Sequence, residues 1–483
     1  MKALPLRLCL AGALIATTSD VVAQTPTYEI IELGTFGTDP STNSNATGMN
    51  ELGHVAGLAE DDNGQNHAFL YRDGALINLG GLPGGGGFAN GKGVNDLGQV
   101  VGQANAPAPG GPGWTGRPFV WTEGQGMVDP EPNDPSYGTW CWGINNSGQL
   151  ALSLSEAYFW DPVSGATQIE LPGAPTGFGS SAWEINNSGE VCGSVRNGSV
   201  FLHAFRYDSA TDTIEDLHDP VTYAHSEGYG INDNGDIAGW AVRHDNFKHP
   251  MVWAADGRTI VLPTGDLTQF HVLSQAEHIN NAGTVVGLDI SGLAEPPIGW
   301  VAYDVLNAPS PVKFDLRSVL SLEDQTHWTR MHPFEVNESG QICGTGTIDG
   351  KTRAFLMTPV GPWANLGGGS EGVVGVPSLE GSGSLVGGTA SSLTLSQAPS
   401  NALMLAWLSF APEPFTALGG TVHAYPFAAQ IFAASDAAGS FTGGTSWPTG
   451  IPSGTEVFFQ FVIEDLSVAP GLTLSNGVRA TTP

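Results

Sequence analysis

Three side chains with acid–base character interrupt a position that glycine otherwise holds. Two residues before each of seven recurring Asn residues the chain carries Gly48, Gly93, Gly143 and Gly230, but Glu184, His278 and Glu335 in the remaining three. Two carboxylates and an imidazole meeting around one axis are what general acid–base catalysis or metal binding would require. The competing expectation is that each is satisfied by its own neighbours or stands exposed at a channel mouth. A second set is aromatic. Trp140, Trp142, Tyr223, His225, His271 and Trp328 stand where the chain enters the repeated strands. Rings exposed on one rim would hold a carbohydrate or a protein ligand by stacking and apolar contact. Alternate residues of a strand face opposite ways, so part of this set must pack inside. A third set is oxygen-rich: Glu60 to Asn63, and Asn232 to Asp236. Calcium collects many oxygen ligands, which makes Asp61, Asp62, Asp233 and Asp236 its candidate ligands. The second of these segments is also the ordinary turn of the repeat. No other metal or cofactor is expected.

Familiar catalytic motifs are missing or misplaced. Gly368 to Gly372 matches a nucleophile elbow around Ser370 by letter, but it lies in a Gly-rich stretch with no helix after it. Gly86 to Gly93 approaches a phosphate-binding loop, yet Gly93 stands where Ser or Thr would hold magnesium.

The element that must position all these groups is the repeat. It runs Asn, two residues, Gly, one residue, an aliphatic, one residue and usually Gly, and begins at Asn50, Asn95, Asn145, Asn186, Asn232, Asn280 and Asn337. The steps are 45, 50, 41, 46, 48 and 57 residues. A period of roughly 40–50 residues built from strands predicts a propeller. Within one period four short apolar runs alternate with turns, the pattern of an antiparallel meander. The Asn-x-x-Gly element suits the first hairpin, because Asn bonds its own backbone two residues on and Gly accepts positive φ. In the third run a large side chain recurs: Phe69, Phe119, Tyr158, Phe205, Met251, Val301 and Phe355. These are expected to fill the contacts between neighbouring units. Tyr28 to Leu33 and Trp363 to Gly367 both resemble a fourth strand, and we expect the N-terminal one to close the ring.

His67-Ala68-Phe69 and His203-Ala204-Phe205 give these units a further mark, which degrades to Arg117-Pro118-Phe119 and Arg353-Ala354-Phe355. The stretch 28–367 resembles the bacterial extracellular HAF-type repeats. That resemblance implies export and a β-propeller-like array, and it implies no particular chemistry.

The whole chain is expected to be all-β: a seven-bladed β-propeller followed by a small C-terminal β-sandwich. A signal peptide is expected at 1–23, from Lys2 and Arg7, the apolar run Leu8 to Thr18 and the small residues before Gln24. The propeller follows at 24–367, a Gly-rich linker at 368–374 and the sandwich at 375–483. The C-terminal part resembles a module common on secreted bacterial proteins. Acidic residues number 47 against 16 basic ones, a net charge of −31, which excludes nucleic acid as a partner. No apolar run is long enough to span a bilayer. Cys141, Cys192 and Cys343 remain after Cys9, an odd number without a pair motif, so they are expected as buried small hydrophobes. Together these features predict an exported, extracellular, periplasmic or surface-held monomer. Its leading function is non-catalytic binding through a propeller face. A carbohydrate-active hydrolase or lyase at the channel and a structural envelope component are the alternatives.

Overall fold

The computed structural model describes residues 27–482, apart from the short stretches 109–112, 134–137, 173–178, 198–200, 245–246, 265–271, 292–296, 384, 386, 412 and 453–454. The expected signal peptide and His271 lie outside the described residues. Two compact units emerge, one spanning Thr27–Pro359 and one containing Val360–Pro483.

The larger unit is a succession of four-stranded antiparallel meanders, seven among the described residues. In the first, Ser44–Met49 pairs with Val55–Glu60, then Asn66–Arg72, then Ala75–Asn78. The last begins at Trp328–Val336 and continues through Ile342–Ile348 and Lys351–Pro359. Its fourth strand is Tyr28–Glu32, with Tyr28 opposite Pro359 and Glu32 opposite Phe355. The N-terminal strand therefore completes the last repeat, as expected. Trp363–Gly367 pairs instead with Gly477–Thr481 in the second unit, which moves the boundary from the expected 367 back to Pro359.

The recurring Asn explains how the meanders assemble. Asn50 Oδ1 accepts the backbone N–H groups of Leu52 and His54 at 3.1 and 2.8 Å, and Gly53 closes the hairpin at φ 76°. Its amide then reaches out of its own repeat, where Nδ2 donates to the Asn95 carbonyl at 2.9 Å. Asn95 donates in the same way to Asn145, Asn145 to Asn186, Asn186 to Asn232, Asn232 to Asn280 and Asn280 to Asn337. Asn337 donates to Asn50 at 3.2 Å and closes the circle. All seven Asn residues are buried. Each saturates backbone groups that would be costly to leave unpaired away from water.

The core lies between consecutive repeats. Ala46, Met49, Val55 and Phe69 of the first pack against Cys343, Ala354 and Leu356 of the last. Cys192 and Ala204 of the fourth pack against Ile231 and Met251 of the fifth. The three described thiols are free and buried.

The HAF triplet has a physical division of labour. His203 Nδ1 meets Asp216 Oδ2 at 2.9 Å, and in the degraded copies Arg117 pairs with Asp129 and Arg353 with Glu32. The Ala is buried, and the Phe lies over the last Gly of the Asn motif. A Cβ on Gly57 would stand 2.8 Å from Phe69 Cε1, and one on Gly193 would stand 2.8 Å from Phe205 Cε1. Leu152 takes that Gly's place in the third repeat, and there Tyr158 is only half-buried. In the sixth repeat Trp300, not the expected Val301, stands opposite Gly287. A Cβ on Gly287 would collide with its indole.

The second unit contains two larger antiparallel sheets. One holds Trp363–Gly367, Gly477–Thr481, Glu456–Glu464, Leu403–Ser409 and Ala429–Ala434. The other holds Ser378–Ser382, Ala390–Ser396 and Phe441–Ser446. Leu379 and Leu395 of the smaller sheet share one core with Met404, Phe461, Ile463 and Val478 of the larger. Ser370 Oγ accepts the Leu474 N–H at 2.8 Å and is buried, a structural seat rather than an exposed nucleophile. No helix among the described residues is long and apolar enough to cross a membrane.

Candidate functional site

Each repeat sends one strand down the axis of the larger unit, and equivalent residues of these strands form layers. Every one of the seven strands is bulged three residues before its Asn, at Thr47, Lys92, Trp142, Trp183, Tyr229, Glu277 and Phe334. A bulge re-aims the side chains around it. The next residue is the Gly, Glu or His layer. Strands approach so closely there that a Cβ on Gly48 would fall 2.9 Å from Gly93 Cα, and one on Gly230 would fall 2.8 Å from His278 Cα. An aliphatic layer follows, including Ile144, Ile185, Ile231 and Ile279, and after it the Asn collar. Outermost comes a second hydrogen-bonded circle. Glu51 N–H donates to Asp96, Asp96 to Asn146, Asn146 to Asn187 and Asn187 to Asp233. Asn234 continues it to Asn281, Asn281 to Glu338 and Glu338 back to Glu51.

One cavity of about 90 Å³ runs through the collar, walled by these layers and reaching Glu184, His278 and Glu335. The three expected axial groups therefore share a single space. Glu184 Oε1 accepts the Ile185 N–H at 3.0 Å, and Glu335 Oε2 accepts the Met49 N–H of the adjoining repeat. Burial raises both carboxyls above the ordinary glutamate range, and the Glu184 charge raises Glu335 further. Burial lowers His278 to about 4, so its ring is neutral, and its Nδ1 is buried with no partner. At the mouth, burial raises Glu51 and Glu338, helped by repulsion from neighbouring carboxylates.

The opposite end of the axial strands is aromatic. Trp140 stacks on Trp142 at 5.1 Å, Trp142 meets Trp183 at 4.6 Å, and Trp183 meets Tyr229 at 5.4 Å. Tyr229 leads on to Trp240, on which His225 stacks at 4.8 Å. Trp140, Trp142, Trp183 and Tyr229 are all half-buried. Lys92 lies over Trp142 at 4.8 Å and over Trp140 at 5.3 Å, and Lys248 lies over Trp240 at 3.7 Å. Burial lowers both ammonium groups to about 8. Among the described residues no carboxylate is paired with Lys92, whereas Lys248 has Glu277 and Glu227 nearby. The Trp183 indole N–H is buried without an acceptor.

Of the six aromatic candidates, Trp140, Trp142 and His225 belong to this cluster. Tyr223 does not. A second bulge between Tyr223 and His225 breaks the alternation and turns Tyr223 into the core beside Ile231 and Met251. Trp328 is likewise buried, edge-on to Phe355 at 5.7 Å. Trp183, Tyr229, Trp240, Lys92 and Lys248 were missed. For Lys92, Trp183 and Tyr229 the signal was present, since they occupy the same place as Trp142 relative to the repeated Asn.

The calcium candidates separate. Asp61 accepts from the Gln65 backbone and from His67, which holds it at about 2. Asp62 caps the Thr38 and Asp39 N–H groups. Asp236 is buried and bonded to Asn232 and to the Ala255 N–H. Asp233 alone faces the axial cavity. Among the described residues no three His, Cys, Asp or Glu side chains converge on a metal position.

No family model matches the chain, and no curated protein matches it. Two solved structures are similar at low identity. One is described as a gluconolactonase, XC5397 from Xanthomonas campestris, with 9% identity, TM-score 0.35, and coverage of 69% of this chain and 90% of that one. The other is from a study of two prolyl endopeptidases, with 10% identity, TM-score 0.35 and coverage of 77% of this chain. This chain spans 54% of that second structure, about half its length. The all-β, propeller-like organisation thus rests on the strand pairing and the closed Asn collar of the chain itself.

Proposed function

We propose that this is an exported seven-bladed β-propeller, followed by a C-terminal β-sandwich, that binds a saccharide at its aromatic end without turning it over. The contiguous row of half-buried rings from Trp140 to Tyr229 carries this reading. The C–H faces of a sugar ring stack on indoles. Lys92, desolvated and lacking a carboxylate partner among the described residues, favours a saccharide bearing a carboxylate. The signal peptide expected at 1–23 and the net charge of −31 suit work outside the cell.

A hydrolase at the axis is the second reading, favoured by the paired Glu184 and Glu335. The 90 Å³ cavity weighs against it, because ligand pockets commonly measure about 300–1,000 Å³. The deciding experiment is calorimetric titration of the mature chain with neutral and uronate-containing oligosaccharides, with product release assayed in the same samples. Binding without release, lost in Trp142→Ala, is expected. Release abolished by Glu335→Gln would overturn the binding reading in favour of the enzyme.

A further inference from the structure

A second cavity, of about 200 Å³, lies where the fourth repeat meets the fifth, and none of the axial layers lines it. His218 stands in its wall and departs from the repeat. In four copies an aliphatic residue donates its N–H to the carbonyl at the middle of the His-Ala-Phe position: Leu79 to Ala68, Ile169 to Ala157, Leu217 to Ala204 and Leu262 to Pro250. The residue that follows is Gly80, Glu170, His218 or Pro263. The His218 ring is held in place. It stacks on His203 at 4.0 Å, and Asp216 holds His203 in turn. Its Nδ1 lies 2.8 Å from Ser226 Oγ. That oxygen accepts the Ala204 N–H at 2.9 Å, a seat that Ser44 and Ser180 also provide for Ala354 and Ala157. The single hydroxyl hydrogen of Ser226 therefore goes to His218 Nδ1, which leaves the ring proton on Nε2. Burial, with His203 beside it, lowers His218 to about 4, so the ring is neutral. Nε2 has no protein partner among the described residues and is open to solvent. Its N–H is an uncharged donor.

The rest of the wall has two characters. Asp219 accepts the Val221 N–H at 3.0 Å and keeps lone pairs for a ligand. Leu217, Trp253 and Val261 are apolar, while Thr222 and Thr259 bring exposed hydroxyl groups. The Asp219 charge repels an anion, and a cation would face the His218 N–H. A secondary amide satisfies both groups, its carbonyl taking the donor and its N–H the carboxylate. The volume is below the 300–1,000 Å³ or so common for ligand pockets, so the cavity suits one pendant group of a larger molecule. We propose that it binds the acetamido group of an N-acetylated amino sugar. The carbonyl accepts from His218 Nε2, the N–H donates to Asp219, and the methyl packs on Leu217, Trp253 and Val261. The sugar ring stays at the mouth, where its hydroxyls meet those of Thr222 and Thr259. The methylene stem of an acetylated lysine gains nothing from such a polar rim. This site is independent of the aromatic end.

The test is saturation-transfer NMR on the mature chain with the methyl glycosides of N-acetylglucosamine and of glucose, and with Nε-acetyl-lysine. The N-acetylated glycoside should bind on the order of millimolar, with the strongest transfer at its acetyl methyl. The glucoside and the acetylated lysine should bind about tenfold more weakly or worse. His218→Ala should weaken the N-acetylated glycoside about tenfold, as loss of a hydrogen bond and its packing does. Should that variant misfold, Val261→Trp, at an exposed position of the wall, should fill the cavity and abolish binding. A uronate-containing oligosaccharide should not displace the N-acetylated glycoside. No binding, equal binding of the glucoside, tighter binding of the acetylated lysine, displacement by the uronate, or unchanged binding in either folded variant would overturn the proposal.

Discussion

The two ends of one set of axial strands differ in how strictly they keep the repeat. At the Asn end every repeat contributes an equivalent residue, and hydrogen bonds pass from each to the next around a closed circle. At the other end the equivalent residues are Thr, Lys, Trp, Trp, Tyr, Glu and Phe, with no shared chemistry. Regularity marks the place where the repeats hold one another, because every copy must satisfy the same orphaned backbone groups. Irregularity marks the place where the sequence was free to build one particular surface. Glu184, His278 and Glu335 lie between the two, departures from glycine within the layer of closest strand approach.

Several substitutions would break or sharpen this contrast. The largest effect belongs to the collar. The Asn232 side chain is buried and makes four hydrogen bonds, to Asp236, to Asn280 and from two backbone N–H groups. Asn232→Ala should cost about 3–5 kcal/mol, read as a lower denaturant midpoint with an unchanged slope. At the aromatic end Trp142→Ala should leave that midpoint comparatively high but weaken saccharide binding about 10- to 100-fold by calorimetry. If the two variants exchanged phenotypes, the division of labour would be wrong.

The middle layer predicts a pH effect. Glu184 and Glu335 are raised in the folded chain, so it holds their protons more tightly than the unfolded chain does. Their contribution is fully present below the usual glutamate pKa and is lost as pH rises through the raised folded-state values. Melting temperature should therefore fall as pH rises from about 5 through about 8, the raised value of Glu184, and Glu335→Gln should flatten the fall. The smallest effect is expected from Lys92→Met. Losing one cation over two indoles should reduce binding of a carboxylate-bearing saccharide by about two- to fivefold and leave a neutral one nearly unchanged.

Much of this was legible in the sequence. The Asn spacing gave the repeat, and the side-chain bond of Asn to its own turn followed from Asn chemistry. That the same amide also spans to the next repeat was not readable, because it depends on a partner 41 to 57 residues away, or 287 away at the closure. Closure by Tyr28–Glu32 was anticipated, but the role of Trp363–Gly367 was not. A short amphipathic strand fits either unit, and only its partner Gly477–Thr481 decides. Glu184, His278 and Glu335 were found because they replaced glycine. Tyr223 was misplaced because a bulge shifts the two-residue alternation from which exposure is inferred. A different bulge, three residues before the Asn in all seven axial strands, turns Trp183 and Tyr229 into the aromatic end.

The most direct measurement is backbone hydrogen exchange of the mature protein with and without a saturating acidic oligosaccharide. Slowed exchange confined to the axial strands around Trp140 to Trp142, Ala182 to Glu184 and Glu227 to Gly230, with the Asn turns unchanged, is the predicted result. Protection confined to the Asn turns or to residues 360–482 would contradict the account.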